Sequence, residues 1–219
     1  MAATGSGEAR AQAGASPDDE ARSVATAVQA FYDQTKDLTA TFFQTYVNKL
    51  YKRVDRSKGR VSFKKPGMMR WDYDQPNGKI VVSNGKKLLV YEPGDDGESG
   101  QVVEQQIGRA QLPQALAFLM GTGKLTDGFT FRLLDGKSEG YEAGDVLELR
   151  PTQPSPQYER ILLYVERARA LRGLVRRVLI IDPSGNRNRF DFSQLKFNTQ
   201  VAAKVYEWQA PKGSHQVKM

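Results

Sequence analysis

Residues 60–93 read RVSFKKPGMMRWDYDQPNGKIVVSNGKKLLVYEP. Turn chemistry cuts this stretch into four short strand-like runs. Gly59 to Phe63 is the first and stops at Pro66-Gly67. Met68 to Tyr73 is the second and ends at Asp74-Gln75-Pro76-Asn77-Gly78. Lys79 to Val82 and Lys86 to Tyr91 flank Ser83-Asn84-Gly85, and Asn-Gly between apolar runs is the strongest short hairpin signal. In the second run Met69, Trp71 and Tyr73 share one face while Arg70 and Asp72 take the other. That alternation of period two belongs to a sheet with one dry and one wet side.

Outward from this core, the 219 residues suit one domain. Residues 1 to 15 are Ala, Gly and Ser with scattered charge and are expected to be disordered, leaving 16 to 219 as the folded unit. Apolar residues at 39% and charged residues at 26% leave enough for a sizeable core. No run approaches the roughly 18 to 20 apolar residues that span a bilayer. The chain opens MAATGSGEAR without a hydrophobic leader core, so any secretory signal is expected to have been removed. Cys is absent, which excludes disulfides, thiolate metal sites and a lipid-anchored amino-terminal Cys. The net charge of +7 is spread along the chain on alternate strand positions. A solvated sheet face explains it better than a nucleic-acid stripe with base-stacking aromatics.

Ser16-Pro17-Asp18-Asp19 marks a helix start, with Ser as N-cap, Pro at the first helical position and acids in the first turn. The helix is predicted to reach about Thr35, with Ala21, Val24, Val28, Phe31 and Tyr32 on one face. Leu38 to Val54 reads as one long strand, bent or covered where Phe43 and Val47 break the alternation. Gly94 to Gly100 is an acidic loop, and Gln101 to Ile107 another strand. Leu112 to Met120 is a second helix, apolar on nearly every side and closed by Gly121-Thr122-Gly123. Strands follow over Phe129 to Leu134, Val146 to Arg150, Arg160 to Val165, Leu174 to Ile181, Arg189 to Phe197 and Val205 to Trp208. Ten or eleven short antiparallel strands point to a barrel or a strongly curved sheet.

Catalytic signals are sparse. The single His, His215, lies in a polar tail, which disfavours imidazole catalysis and the usual zinc sites. Gly136-Lys137-Ser138-Glu139-Gly140 fits G-x-S-x-G but leads into a strand, where a nucleophile elbow needs a helix. Gly121-Thr122-Gly123-Lys124-Leu125 lacks the first Gly and the Ser/Thr of a phosphate loop. Asp95, Asp96 and Glu98 lack the spacing of a calcium loop. No enzyme, no metal and no cofactor is expected. The apolar interior has two readings, a filled core or a cavity under a helical lid. Met68, Met69 and Met120 are adaptable side chains, and the second helix has Pro113 near its start and is flanked by Gly108 and Gly121-Thr122-Gly123, which suits a movable element.

The ordered set of a first strand Leu38-x-Ala40-x-Phe42-x-Gln44, a basic residue before Pro66, Trp71, Pro76 and "IVVSNGKKLLVYEP" resembles the LolA family of bacterial lipoprotein carriers. Val201 to Tyr206 and Pro211-Lys212-Gly213 resemble the family's carboxy-terminal end, so the likeness covers roughly residues 20 to 217. It implies a mostly β protein with two or more helices, an incomplete antiparallel barrel or strongly curved sheet capped by a helical lid. It also implies a monomer that holds lipoprotein acyl chains in a hydrophobic cavity. Burying one CH₂ is worth roughly 0.8 kcal/mol, so a sixteen-carbon chain needs about 12 kcal/mol of shelter to cross water. Release without ATP then calls for a lid with two states close in energy. Alternation selects Leu38, Ala40, Phe42, Met69, Trp71, Ile80, Val82, Leu88 and Val90 as lining. The helices add Val28, Phe31, Leu116, Phe118 and Leu119.

In the family an Arg before the strand-ending Pro bonds to the lid and holds the empty carrier shut. The matching residue is Lys65, which keeps the charge without the planar fork of Arg, so a looser closed state is expected. Implied partners are an inner-membrane lipoprotein-releasing ABC transporter and an outer-membrane acceptor, in the periplasm of a Gram-negative bacterium. Nucleic acid is not among them. A sensor module of the same fold, resembling regulators of envelope stress, is the alternative, ahead of a membrane-anchored acceptor and an enzyme.

Overall fold

The computed structural model describes residues 16–94, 100–106 and 123–218. Helix α1 (Pro17–Asp33) starts as its cap dictates: Ser16 Oγ accepts from Asp19 N, and the Asp19 carboxylate accepts from Ser16 N, satisfying two end-of-helix donors reciprocally. Its buried stripe is Ala21, Val24, Ala25, Val28 and Tyr32. The expected second helix, with Leu116, Phe118 and Leu119, lies outside the described residues, as do residues 1–15. Among the described residues α1 is the sole α-helix, joined by 3-10 turns at Arg169–Leu171 and Ala203–Tyr206.

The strands are β1 (Asp37–Asn48), β2 (Arg53–Lys64), β3 (Met68–Tyr73), β4 (Ile80–Asn84), β5 (Lys87–Pro93) and β6 (Gly100–Gln106). After the undescribed stretch come β7 (Phe129–Leu134), β8 (Gly144–Pro151), β9 (Arg160–Glu166), β10 (Val175–Ile181), β11 (Arg187–Phe197) and β12 (His215–Lys218). They form one open, curved twelve-stranded sheet in the order β12-β6-β5-β4-β3-β2-β1-β11-β10-β9-β8-β7. All neighbours are antiparallel except β12 against β6. The four-strand core read from residues 60–93 falls in register, with Trp71 opposite Val61 on one side and Val81 on the other.

Three elements depart from expectation. The long strand placed over Leu38 to Val54 turns back after Asn48, and β2 begins at Arg53. That turn uses neither Gly nor Pro: Tyr51 N donates to Asn48 Oδ1 at 3.0 Å, and Lys52 takes a left-handed φ of 52°. Val205 to Trp208 is not a strand, because Ala203–Tyr206 coils into a 3-10 turn. Beyond it, β12 recruits a polar tail into the sheet through main-chain bonds, which leave no side-chain signature.

The two sheet faces differ. The inner face carries the main core, with α1 laid across β7 and β8. The outer face is covered in two places. Over β8–β10, Val146, Leu162, Tyr164, Leu179 and Ile181 form a second buried cluster with Tyr141 against it, so β9 is buried on both faces. Over β2–β4 lies the carboxy-terminal segment. Tyr206 Oη and Ser62 Oγ share a buried 2.6 Å hydrogen bond, Arg70 donates to Val205 O at 3.0 Å, and Lys64 Nζ donates to Val201 O. Gly59 permits the close β2–β3 approach, since a Cβ there would sit 2.0 Å from Asp72 O.

Candidate functional site

Alternation along five strands brings one set of side chains together on the inner face. Leu38, Ala40 and Phe42 come from β1, Val61 and Phe63 from β2, Met69 and Trp71 from β3, and Leu88 from β5, all buried. Half-buried Tyr73, Val81 and Val90 pack against them. The centre is aromatic. Phe42 meets Trp71 and Tyr73 edge-on, both at 4.9 Å between centroids, and Trp71 meets Phe63 at 5.8 Å and Phe190 at 5.3 Å. Such edge contacts add about 0.5–1.5 kcal/mol each to the burial itself. Burial pushes the Tyr73 hydroxyl up to about 12. Among the described residues the buried carboxylates are Asp37 and Glu148, each next in sequence to an inward residue (Leu38; Leu147 and Leu149) and so on the opposite face.

Ile80 and Val82 are the exceptions among the expected lining residues. Ile80 registers with Asp72 and Tyr91, and Val82 with Arg70 and Leu89, so both face outward. Val81 takes the inward place opposite Trp71 and Val90. Three apolar residues in a row give alternation nothing to choose by, and the pairing with β3 decides. Val82 is buried nonetheless, beneath the carboxy-terminal segment, where with Leu89, Tyr206 and Trp208 it borders an outer groove of about 500 Å³. Sequence reasoning missed Val61, Phe63, Phe190 and Phe192 as members of the inner face. The signal was present in the alternation of Arg189-Phe190-Asp191-Phe192 and of Val61-Ser62-Phe63.

Helix α1 brings Val28 into the same core, and Phe31 packs at its edge against Phe197 at 5.2 Å. Polar contacts also hold the helix. Gln29 Oε1 accepts from Leu125 N at 2.6 Å, and the Tyr32 hydroxyl accepts from Val175 N at 3.3 Å. Lys65, in the β2–β3 turn, donates from Nζ to the main-chain oxygen of Tyr32 at 2.5 Å. The last turn of α1 has no basic residue of its own, so this ammonium is the cation at the negative end of the helix. Burial pulls the Lys65 ammonium below the ordinary lysine value, with the nearby Asp33 carboxylate opposing it. Asp37, just past the helix, is buried and accepts from Thr199 N, Thr199 Oγ1 and Gln200 N, which fixes the start of the carboxy-terminal segment.

Among the described residues no cluster of three His, Cys, Asp or Glu could hold a metal, and no helix is long and apolar enough to cross a membrane. Ser138 of the G-x-S-x-G stretch sits in the β7–β8 turn and donates to Asp135 Oδ2 at 2.5 Å.

Comparison with known proteins gives a consistent set of likenesses. The family model for the outer membrane lipoprotein carrier protein LolA matches residues 33–209. An outer-membrane lipoprotein carrier protein of Pseudomonas aeruginosa is 27% identical over 183 residues, covering 83% of this chain and 81% of its own. One from Nitrosomonas europaea is 24% identical over 191 residues, 87% of each chain. Among solved structures, a LolA superfamily protein from Nitrosomonas europaea aligns over 86% of this chain and 97% of its own, at 16% identity and a TM-score of 0.47.

Proposed function

The chain belongs to the LolA family of outer membrane lipoprotein carrier proteins, and from that premise we propose that it carries lipoproteins through the periplasm. Their acyl chains lie on the inner face, between the sheet and its helical cover, and the protein performs no chemistry on them. The observation that carries this reading is the continuous Phe42–Met69–Trp71 surface, apolar and aromatic, with Tyr73 packed against it. Met69 fits an occupant of variable shape, because its unbranched thioether adapts. Lining by Leu38, Ala40, Leu88, Val90, Val28 and Phe31 extends the surface toward α1.

In this mechanism the empty protein keeps the inner face dry by its own packing, and a lipoprotein enters by displacing the cover. Lys65 acts as the latch. Its single charged hydrogen bond to Tyr32 O ties α1 to the β2–β3 turn, and opening breaks it. A lone ammonium donor holds less firmly than a bidentate guanidinium, so closed and open states differ little in free energy. A lipoprotein-releasing ABC transporter of the inner membrane loads the carrier, and an outer-membrane acceptor empties it. The test is size exclusion without detergent after mixing with a purified triacylated lipoprotein. Co-elution is expected, and its absence, with the lipoprotein left aggregated, would contradict the carrier role.

A further inference from the structure

The turn joining β1 to β2 is built unlike a solvent turn. Leu50 and Tyr51 at its tip are 80% and 76% exposed, flanked by Lys49 and Lys52. The tip is nonetheless held in shape. Tyr51 N donates to Asn48 Oδ1, and Lys49 N donates to Asn186 Oδ1 at 2.9 Å. Its β2 side runs past the β3 ladder, which begins only at Gly59: Lys58 O accepts from Asp74 N and Ser57 Oγ from Asn77 Nδ2, whereas Arg53 to Arg56 pair with β1. Val54 continues the apolar surface at 44% exposure, opposite Val47, and Phe43, 55% exposed, lies on the same outer face. The surroundings are basic. Arg53 pairs with Asp55, but none of the ion pairs among the described residues involves Lys49, Lys52 or Arg56.

We propose that this hairpin is a membrane-docking finger that seats Leu50 and Tyr51 at headgroup depth in an anionic bilayer, with Lys49, Lys52 and Arg56 against lipid phosphates. Tyrosine favours the membrane–water interface, and unneutralised cations beside it complement acidic headgroups. A protein partner fits less well, since a stable protein interface covers roughly 800 Å² on each side and a two-residue tip offers far less. The finger lies at the opposite end of β2 from Lys65, so docking leaves the latch free to act. This surface is separate from the inner face; its use in delivery rests on the carrier reading, whereas docking itself needs no lipoprotein.

The test is sedimentation of the lipoprotein-free protein with vesicles of phosphatidylcholine alone, or of phosphatidylcholine and phosphatidylglycerol in equal parts. Binding is expected to the mixed vesicles only, and to weaken with salt. The Leu50→Asp/Tyr51→Asp double variant should lose at least about tenfold, and each of Lys49→Gln and Lys52→Gln about fivefold. All are expected to melt like the parent and to co-elute with lipoprotein as before. Sedimentation unchanged by these substitutions, no binding to either vesicle, or an effect confined to self-association would overturn the proposal. Docking retained with no lipoprotein complex would contradict the carrier reading alone.

Discussion

In the proposed mechanism Lys65 sets how firmly α1 is fastened, because its Nζ donates to Tyr32 O in the helix's last turn. A charged hydrogen bond that is partly solvated is worth about 1 kcal/mol, close to a fivefold shift in an open–closed equilibrium. Lys65→Met is therefore expected to raise apparent affinity for a triacylated lipoprotein about fivefold and to slow its handover, read by competition for a labelled lipoprotein. Unchanged affinity and unchanged stability of the empty protein would remove Lys65 from the mechanism. Tyr73 gives a pH signature. Its hydroxyl titrates at about 12 in the folded protein against an ordinary 10.0. Between those values the unfolded chain sheds the proton and the folded one keeps it, so stability present below pH 10 is lost as pH rises. Urea melts across that window should show a slope that Tyr73→Phe reduces by at most about 1.4 kcal/mol per pH unit. Tyr32, Tyr158 and Tyr206, also raised by burial, act with the same sign.

At the scale of elements, the carboxy-terminal segment works as a strap on the outer face. Ser62 and Tyr206 hold it by one buried hydrogen bond, and Tyr206→Phe should cost about 1 kcal/mol in chemical denaturation. Combined with Ser62→Ala the losses should fall short of additive, because both remove the same bond. This strap also marks where the sequence stops being legible. α1 was readable because capping and periodicity are local, and β3 because Met69, Trp71 and Tyr73 alternate with charges. The strap is fixed by Ser62, Lys64 and Arg70 of distant strands, β12 by main-chain bonds to β6, and the β1–β2 turn by two Asn side chains, so no local pattern announces them. Ile80 and Val82 went to the wrong face for a related reason: in an all-apolar triplet only the partner strand sets orientation. Phe190 and Phe192 were visible as alternation on β11, yet their meeting with Trp71 depends on β11 pairing with β1, whose partners, such as Phe42 and Phe192, lie far apart in sequence.

For the molecule as a whole, one curved sheet serves two solvents. Its outer face carries charge, the strap and a second small core, while its inner face concentrates aromatics and Met69. Acyl chains are proposed to occupy that inner face, and the two tryptophans separate the faces: Trp71 is inside, and Trp208 lies outside against Tyr91 at 5.4 Å. The most direct measurement is fluorescence quenching in Trp208→Phe and Trp71→Phe variants by a lipoprotein carrying brominated acyl chains. Quenching of Trp71 on complex formation, with Trp208 unaffected, is the expected result. A complex that forms with Trp71 unquenched, or that quenches Trp208 instead, would contradict it.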